Sequence, residues 1–388
     1  MRHTKNPAPV RVALLLGRQL GYCRDVMTGI QRFALAHPDW IFHEGPPDSR
    51  VMPLLREWRP HGIIGHVYAR DLLDTLNGLK IPLVLACSLP GAITPNVDVD
   101  HLSVGRMAAE YFLRKGFRHF GYFGSGRARF SLEREEGFRE TLRGHGFDLS
   151  VCHMEYLPTP PFNLDTRRLD KIVEGLLRKC SRPLAVFASN DIAARQLAEE
   201  CRRMGLSIPS EVAILGVDND EYECMLSTPP LSSIAIPSEQ IGFSAAEMLD
   251  CLMRGKTPRN QHPALPPLYV VSRHSTDYFV VSDPVVNRAL KFIRERTTQP
   301  LTVDEVRKHC AVSRRILERR FQSALQQTAL QVIHRACVER AKPLLERTRL
   351  DLNSVAGQCG FSSARQMTDV FRKSTGQSPA HYRKHIAG

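Results

Sequence analysis

The stretch Val303-Asp304-Glu305-Val306-Arg307-Lys308-His309-Cys310-Ala311-Val312-Ser313-Arg314-Arg315-Ile316-Leu317-Glu318-Arg319-Arg320-Phe321 decides how the end of this 388-residue chain is built. Apolar side chains recur at helical spacing in two short blocks, Val303 and Val306, then Ile316, Leu317 and Phe321. Thr302 and Glu305 have the spacing of a capping box, and Ser313 has the place of an N-cap for the second block. Two short helices joined by a tight turn form a helix-turn-helix, whose second helix can enter the major groove of DNA. The pattern returns at Leu352-Asn353-Ser354-Val355-Ala356-Gly357-Gln358-Cys359-Gly360-Phe361-Ser362-Ser363-Ala364-Arg365-Gln366-Met367-Thr368-Asp369-Val370-Phe371, with Ser363 as the cap. A helix of about 28 Å, near Leu330 to Thr348, is expected between the two units.

Two such units in tandem resemble the AraC-type DNA-binding domain over residues 283–388. The closing run Phe371-Arg372-Lys373-Ser374-Thr375-Gly376-Gln377-Ser378-Pro379-Ala380-His381-Tyr382-Arg383 carries the resemblance further. Ala311 departs from the glycine usual at the first turn, so a slightly different turn is expected there. Pro343 falls inside the connecting helix, where it removes a backbone donor and should kink it. The resemblance implies that Arg315, Glu318 and Arg319 in the first unit, and Arg365, Gln366, Thr368 and Asp369 in the second, meet base edges. Arg314, Arg320, Arg372 and Lys373 are expected on phosphates, which position without specifying sequence. A solvated helix face is the alternative reading of each.

Charge supports nucleic acid as partner. The formal net charge is +13, and residues 283–388 hold 20 Lys and Arg against 9 Asp and Glu, leaving 33 against 31 for the first 282 residues. The positive balance thus sits on the tandem units, as phosphate binding requires. Ten scattered cysteines with no C-x-x-C pair argue against a zinc module or a disulfide framework and for a reducing compartment. The chain shows no secretory segment and no apolar run of about 18 residues, so a cytoplasmic protein without a membrane partner is expected.

Before the tandem units, short apolar runs alternate with amphipathic stretches. Strands are expected at 10–16, 62–65, 82–86, 119–123, 184–188 and 212–217, and helices at 23–37, 102–115, 132–144, 164–179, 191–203 and 240–254. That alternation predicts an α/β fold with parallel sheets covered on both faces, in two lobes. Ile214-Leu215-Gly216-Val217-Asp218-Asn219-Asp220, Leu231-Ser232-Ser233-Ile234 and Gln240-Ile241-Gly242-Phe243-Ser244-Ala245-Ala246 resemble the periplasmic-binding-protein-like sensor of lac-repressor-type regulators, over residues 10–275. Those regulators carry a helix-turn-helix ahead of the sensor, whereas about ten residues stand there in this chain. A sensor followed by an AraC-type reader is similar to regulators of the xylose operon type. The boundary is expected at 278/279, in the junction Ser272-Arg273-His274-Ser275-Thr276-Asp277-Tyr278.

The resemblance implies a ligand pocket at Asp100, Arg134, Asn190 and Asp218, each where a strand gives way to a loop or a helix begins. A carboxylate, an amide and a guanidinium suit a polyol, and Tyr22, Arg24, Phe123 and Phe130 lie on candidate cleft loops. Other roles stay open: Asp100 as an N-cap, Arg134 as an exposed helix residue, Asn190 as a cap beside a capping Asp191, Asp218 bound to its own turn, and both Phe as core. An enzyme is disfavoured. Gly121-Tyr122-Phe123-Gly124-Ser125-Gly126 fits no phosphate-loop pattern, no G-x-S-x-G elbow occurs, and Asp218 and Asp220 stand too close for a carboxylate pair. The expected whole is a regulator, an activator of sugar-catabolic genes, with double-stranded DNA and a sugar (xylose by default) as partners, a homodimer able to meet RNA polymerase, and no metal or cofactor. A non-sugar effector, or a ligand-free scaffold, is the alternative.

Overall fold

The computed structural model describes residues 9–89, 91–154, 166–278, 280–281, 283–296, 299–375 and 377–387. The chain divides into two compact units, Met1–Tyr278 and Phe279–Gly388.

The first unit has two α/β lobes. In the amino-terminal lobe, β1 (Val10–Leu15), α1 (Gly21–Ala34), β2 (Trp40–Glu44), α2 (Met52–Trp58), β3 (Gly62–Gly65), α3 (Arg70–Gly78) and β4 (Leu83–Leu85) alternate, and the strands form a parallel sheet in the order β2-β1-β3-β4. The central strands are the uninterrupted apolar runs; β3 and β4 are buried throughout. The edge strand β2 buries Trp40 but exposes Ile41, Phe42 and His43, which is why its sequence carries no continuous apolar signal.

The short β5 (Asp98–Val99) leads into the second lobe through α4 (His101–Arg114), β6 (His119–Ser125), α5 (Arg129–Gly144), β7 (Leu149–Met154), α6 (Thr166–Lys179), β8 (Leu184–Ala188), α7 (Asp191–Arg203), β9 (Val212–Asp218), α8 (Glu221–Leu226) and β10 (Ser232–Ala235). Helix α9 (Ser238–Met253) returns to pack on α1, β11 (Ala264–Leu265) pairs with β5, and β12 (Tyr269–Val271) closes the second sheet, of order β12-β10-β9-β8-β6-β7. Only β12 runs antiparallel in it. The chain therefore passes between the lobes at 98–101, 236–238 and 265–269. Helices α4 and α5 meet at backbone distance: a Cβ on Gly105 would lie 2.1 Å from the Arg134 carbonyl, and one on Gly137 2.1 Å from that of Leu102. Glycine at both positions thus sets where Arg134 stands.

The second unit is all-helical: α10 (Pro284–Glu295), α11 (Val303–Cys310), α12 (Arg314–Leu325), α13 (Ala329–Arg347), α14 (Leu352–Gln358), α15 (Ala364–Thr375) and α16 (Pro379–Ala387). Its core gathers the apolar stripes, with Leu317 and Phe321 of α12 and Met367 and Phe371 of α15 buried. Both halves of the predicted capping box form at Thr302 and Glu305. Ser313 caps α12 by accepting from the Ile316 N–H, and Ser363 caps α15 by accepting from that of Gln366. Helix α13 runs through position 343, whose side chain, with the kink expected of it, lies outside the described residues.

Ala311 corrects one expectation. The turn is not altered: Ala311 adopts the left-handed conformation, φ 54° and ψ 44°, that ends α11 where glycine would do so without strain. The left-handed region costs an L-residue roughly 1–2 kcal/mol, and glycine returns part of that as chain entropy. Ala311→Gly should therefore stabilise the helical unit by about 0.5–1 kcal/mol. Urea unfolding of the full chain, followed through that unit's transition, checks it; an unchanged or lower midpoint would deny the strain.

Candidate functional site

A cleft opens where the carboxyl ends of both sheets face each other, the place where open α/β folds bind ligands. β3 and β4 deliver His66, Tyr68 and Ser88; β5 and the start of α4 deliver Asp98 and His101; α5 delivers Phe130 and Arg134. From β8 and β9 come Asn190, Asp191, Asp218 and Asp220, and Tyr22 stands at the start of α1.

Arg134 is the central cation. It is 3% exposed, donates to the Ser189 carbonyl, and lies 3.6 Å from Asp218. The Phe130 ring sits 5.1 Å from its guanidinium carbon. Burial pushes the Asp218 carboxyl up to about 7, against the pull of Arg134 and with the push of Asp220 and Asp25. Asp191 is raised well above the ordinary range by burial and then by the Asp218 charge. Burial would raise Asp98 as well, but His101 Nε2 at 3.2 Å, the Ser88 hydroxyl at 2.6 Å and the Val99 N–H bring it down to about 2. Burial drives His66 down to about 4, a neutral imidazole between the Tyr68 hydroxyl at 2.6 Å and the Cys23 thiol at 3.3 Å. Three buried polar atoms of the cleft, His101 Nδ1, Arg134 Nε and Asp191 Oδ1, have no hydrogen-bond partner. Such atoms cost free energy unless something fills them.

The structure brings Arg134, Asn190, Asp218, Tyr22 and Phe130 together around this cleft. It separates three residues expected with them. Asp100 caps α4, accepting from the Ser103 N–H, and does not line the cleft; the cleft carboxylate is Asp98, on the strand two residues earlier. Arg24 is half exposed and spans Asp220 at 3.1 Å and the carbonyls of Arg18 and Gln19. Phe123 is fully buried in the core of the second lobe. The pair at 190 and 191 exchanges roles: Asn190 is the cap of α7, while Asp191 is buried and accepts from the Asp220 N–H at 2.8 Å. Asp98, His101, His66 and Tyr68 escaped the sequence reading. The i, i+3 spacing of Asp98 and His101 was the available signal.

In the helical unit, α12 and α15 begin and end fifty positions apart, so residues compare directly. Opposite the buried Leu317 and Phe321 stand Arg315 and Arg319; opposite Met367 and Phe371 stand Arg365 and Asp369. All four are exposed, as are Arg314, Arg372 and Lys373. Thr368 is half-buried and donates to the Ala364 carbonyl. Glu318 accepts from the Ala329 N–H at the start of α13, so its carboxylate serves that helix end rather than a free face. Arg320 is paired with Asp283, the cap of α10, at 2.8 and 3.0 Å. Gln366 accepts from the Ser362 N–H and hydroxyl, closing the turn before α15. The exposed set is thus Arg314, Arg315, Arg319, Arg365, Asp369, Arg372 and Lys373.

Among the described residues no cluster of His, Cys, Asp or Glu has the geometry of a metal site, and no helix is long and apolar enough to cross a membrane. No disulfide joins any of the ten cysteines. A periplasmic binding protein-like domain model matches residues 109–276, and a helix-turn-helix domain model matches residues 307–385. The xylose operon regulatory protein of Escherichia coli K12 is 28% identical over 96% of both chains. That of Haemophilus influenzae is 29% identical, over 96% of this chain and 98% of its own. A solved structure described as the xylose-binding transcription activator XylR superposes with a TM-score of 0.67 at 25% identity, covering 98% of this chain and 99% of that one. The chain is a homologue of the xylose operon regulators along nearly its whole length, a periplasmic-binding-protein-like domain joined to a C-terminal AraC-type helix-turn-helix domain.

Proposed function

We propose that the chain is a sugar-responsive, sequence-specific DNA-binding regulator that activates sugar-catabolic genes in the cytoplasm, with D-xylose as its effector. The observation that carries the sugar reading is the cleft itself. It offers an ionised Asp98, a guanidinium, an amide and tyrosine hydroxyls around the Phe130 ring, and three buried polar atoms lack partners. Ring hydroxyls supply donors and acceptors for such a set, and a pentose C–H face suits an aromatic ring. The resemblance to proteins described as xylose regulators supports the same ligand.

Sugar in the cleft favours the arrangement with both lobes on the ligand, and DNA binding favours whichever arrangement presents the readers. The effector acts only through its differential affinity for the two states. Arg315, Arg319 and Arg365 read bases, Arg319 through a bidentate fork on guanine, and Asp369 accepts from a base amine. Arg314, Arg372 and Lys373 hold phosphates. The 19-residue α13, about 28 Å long, is compatible with two readers on successive turns of one groove face. A homodimer would read two such sites beside RNA polymerase.

Thermal unfolding against a panel of pentoses and hexoses tests the cleft. A sugar at one hundred times its Kd should stabilise the first unit by roughly 2.7 kcal/mol, and Asp218→Ala should abolish the gain. A flat panel would leave a non-sugar effector or a ligand-free scaffold. Asp218 also sets a pH dependence. Its folded pKa of about 7 exceeds the ordinary 3.8, so the folded state holds the extra proton and stability falls as pH rises through that window. Asp218→Asn removes that penalty and relieves Asp191. Its Tm advantage over wild type should be larger at pH 8 than at pH 5; an equal or reversed difference refutes the raised carboxyl. On DNA, Arg319→Ala should cost about 1–3 kcal/mol and relax one base position, whereas Arg372→Ala should weaken all sequences alike and reduce the salt slope by about 1. Arg320→Ala should lower the stability of the helical unit and leave that slope unchanged. Binding titrations across salt concentrations separate the three.

A further inference from the structure

We propose that Arg273, through Asn219, is the positioning residue that ties the effector loop of the cleft to the exit segment of the first unit. The proposal rests on the cleft being the effector site. Three consecutive residues at the end of β9, Asp218 to Asp220, face three different partners. Asp218 faces the cleft and Arg134. Asp220 accepts from the Gly21 N–H at 3.0 Å and from Arg24, both in the amino-terminal lobe. Asn219, between them, accepts from Arg273 Nη2 at 2.8 Å through its side-chain oxygen. Asp218 and Asn219 have φ of 103° and 55°. Two adjacent non-glycine residues in that region are costly and persist only where their surroundings hold them. Here the Asn219 N–H donates to the Ser233 hydroxyl at 2.9 Å and the Asp220 N–H to buried Asp191 at 2.8 Å.

The far end of the connection is equally well held. Arg273 Nη1 donates to the Leu231 carbonyl at 2.9 Å, and its backbone N–H to the Ser232 hydroxyl at 2.7 Å. Ser275 accepts from the Ser232 N–H and donates to the Ile214 carbonyl at 2.6 Å, while Thr276 meets the hydroxyls of Ser232 and Tyr111, each at 2.7 Å. Ser275 and Thr276 are fully buried, two or three residues before the unit ends at Tyr278. Arg273 does not line the cleft; its hydrogen bond to Asn219 and its charge near buried Asp191 link it to the cleft wall, and the Asn219 bond is the directional one. A shift of Asp218 toward a ligand turns the strained pair, moves the Asn219 oxygen, and loosens or tightens the guanidinium that also anchors residues 273–276. A strained element biased from both sides is the physical form a coupling between sites requires.

Amide hydrogen exchange on the full chain tests this, with and without millimolar D-xylose, in wild type, Asn219→Gly and Arg273→Gln. Glycine accepts the left-handed conformation, so the turn can persist, free of strain at 219, without the side-chain acceptor. In wild type, xylose should slow exchange at both 217–221 and 273–278, roughly tenfold, the scale of one charge-assisted hydrogen bond. In Asn219→Gly the slowing should remain at 217–221 and vanish at 273–278. Slowing retained at 273–278, lost from both stretches together, or absent there in wild type while present at 217–221 overturns the proposal. If xylose slows neither stretch in wild type, the xylose reading fails and the sugar-free comparison decides. Asn219→Gly must then quicken exchange at 273–278 and Arg273→Gln at 217–221; unchanged rates overturn the coupling.

Discussion

The first unit depends on one local constraint, the left-handed turn at Asp218 and Asn219 that ends β9. A central parallel strand would ordinarily run into its helix with a capping residue and no strain. Here the turn places a carboxylate against Arg134, and the next two residues are spent on the other lobe and on Arg273. The cost is met by bonds from three elements: Ser233 on β10, Asp191 on α7, and Arg273 after β12. Asp191 explains why the arrangement is polar throughout. Burial and the Asp218 charge raise its carboxyl even though the Asp220 N–H and the Arg273 guanidinium face it, and its neighbour Asn190 is left to cap α7.

The electrostatics of the cleft separate its carboxylates by environment. Asp98 lies in a nest of donors and stays ionised at any ordinary pH, whereas Asp218 faces one cation at 3.6 Å and two other carboxylates and sits near neutrality. The first is a fixed acceptor. The second can change its charge with what is bound beside it, since a ligand donor near Asp218 favours the ionised form and restores the pair with Arg134. The group whose ionisation answers to a ligand is also the group on the strained turn.

How much of this the sequence revealed followed from how local each signal is. Buried parallel strands are continuous apolar runs, so β1, β3, β8 and β9 could be read within a residue or two. The edge strand β2 and the half-exposed β7 lack such a run and were not seen. Resemblance pointed to Asn190 and Asp218 at readable strand ends and to Arg134 early in a readable helix, and all three line the cleft. It misplaced the carboxylate of the crossover: β5 is two residues long, and nothing in Val97-Asp98-Val99-Asp100 says which Asp turns inward. Only the tertiary pairing with β11 and His101 decides that. Glu318, Arg320 and Gln366 look from sequence like free polar faces, yet each is bound to a helix end, cap or turn four to thirty-seven residues away. Capping partners of that kind are invisible to helical periodicity.

The two readers illustrate the same separation between frame and face. Caps, core positions and length repeat at an offset of fifty: Ser313 with Ser363, Leu317 with Met367, Phe321 with Phe371. The outward positions keep one residue and change another, Arg315 with Arg365 but Arg319 with Asp369. Two identical readers would suit a repeated half-site and bind it equally in either register. If both helices read DNA as proposed, an arginine replaced by a carboxylate at one matching position would make the second repel a phosphate or a guanine edge that the first binds. Under the proposed base contacts, the difference between Arg319 and Asp369 would give the pair a direction along DNA, at no cost to the shared core that holds both helices.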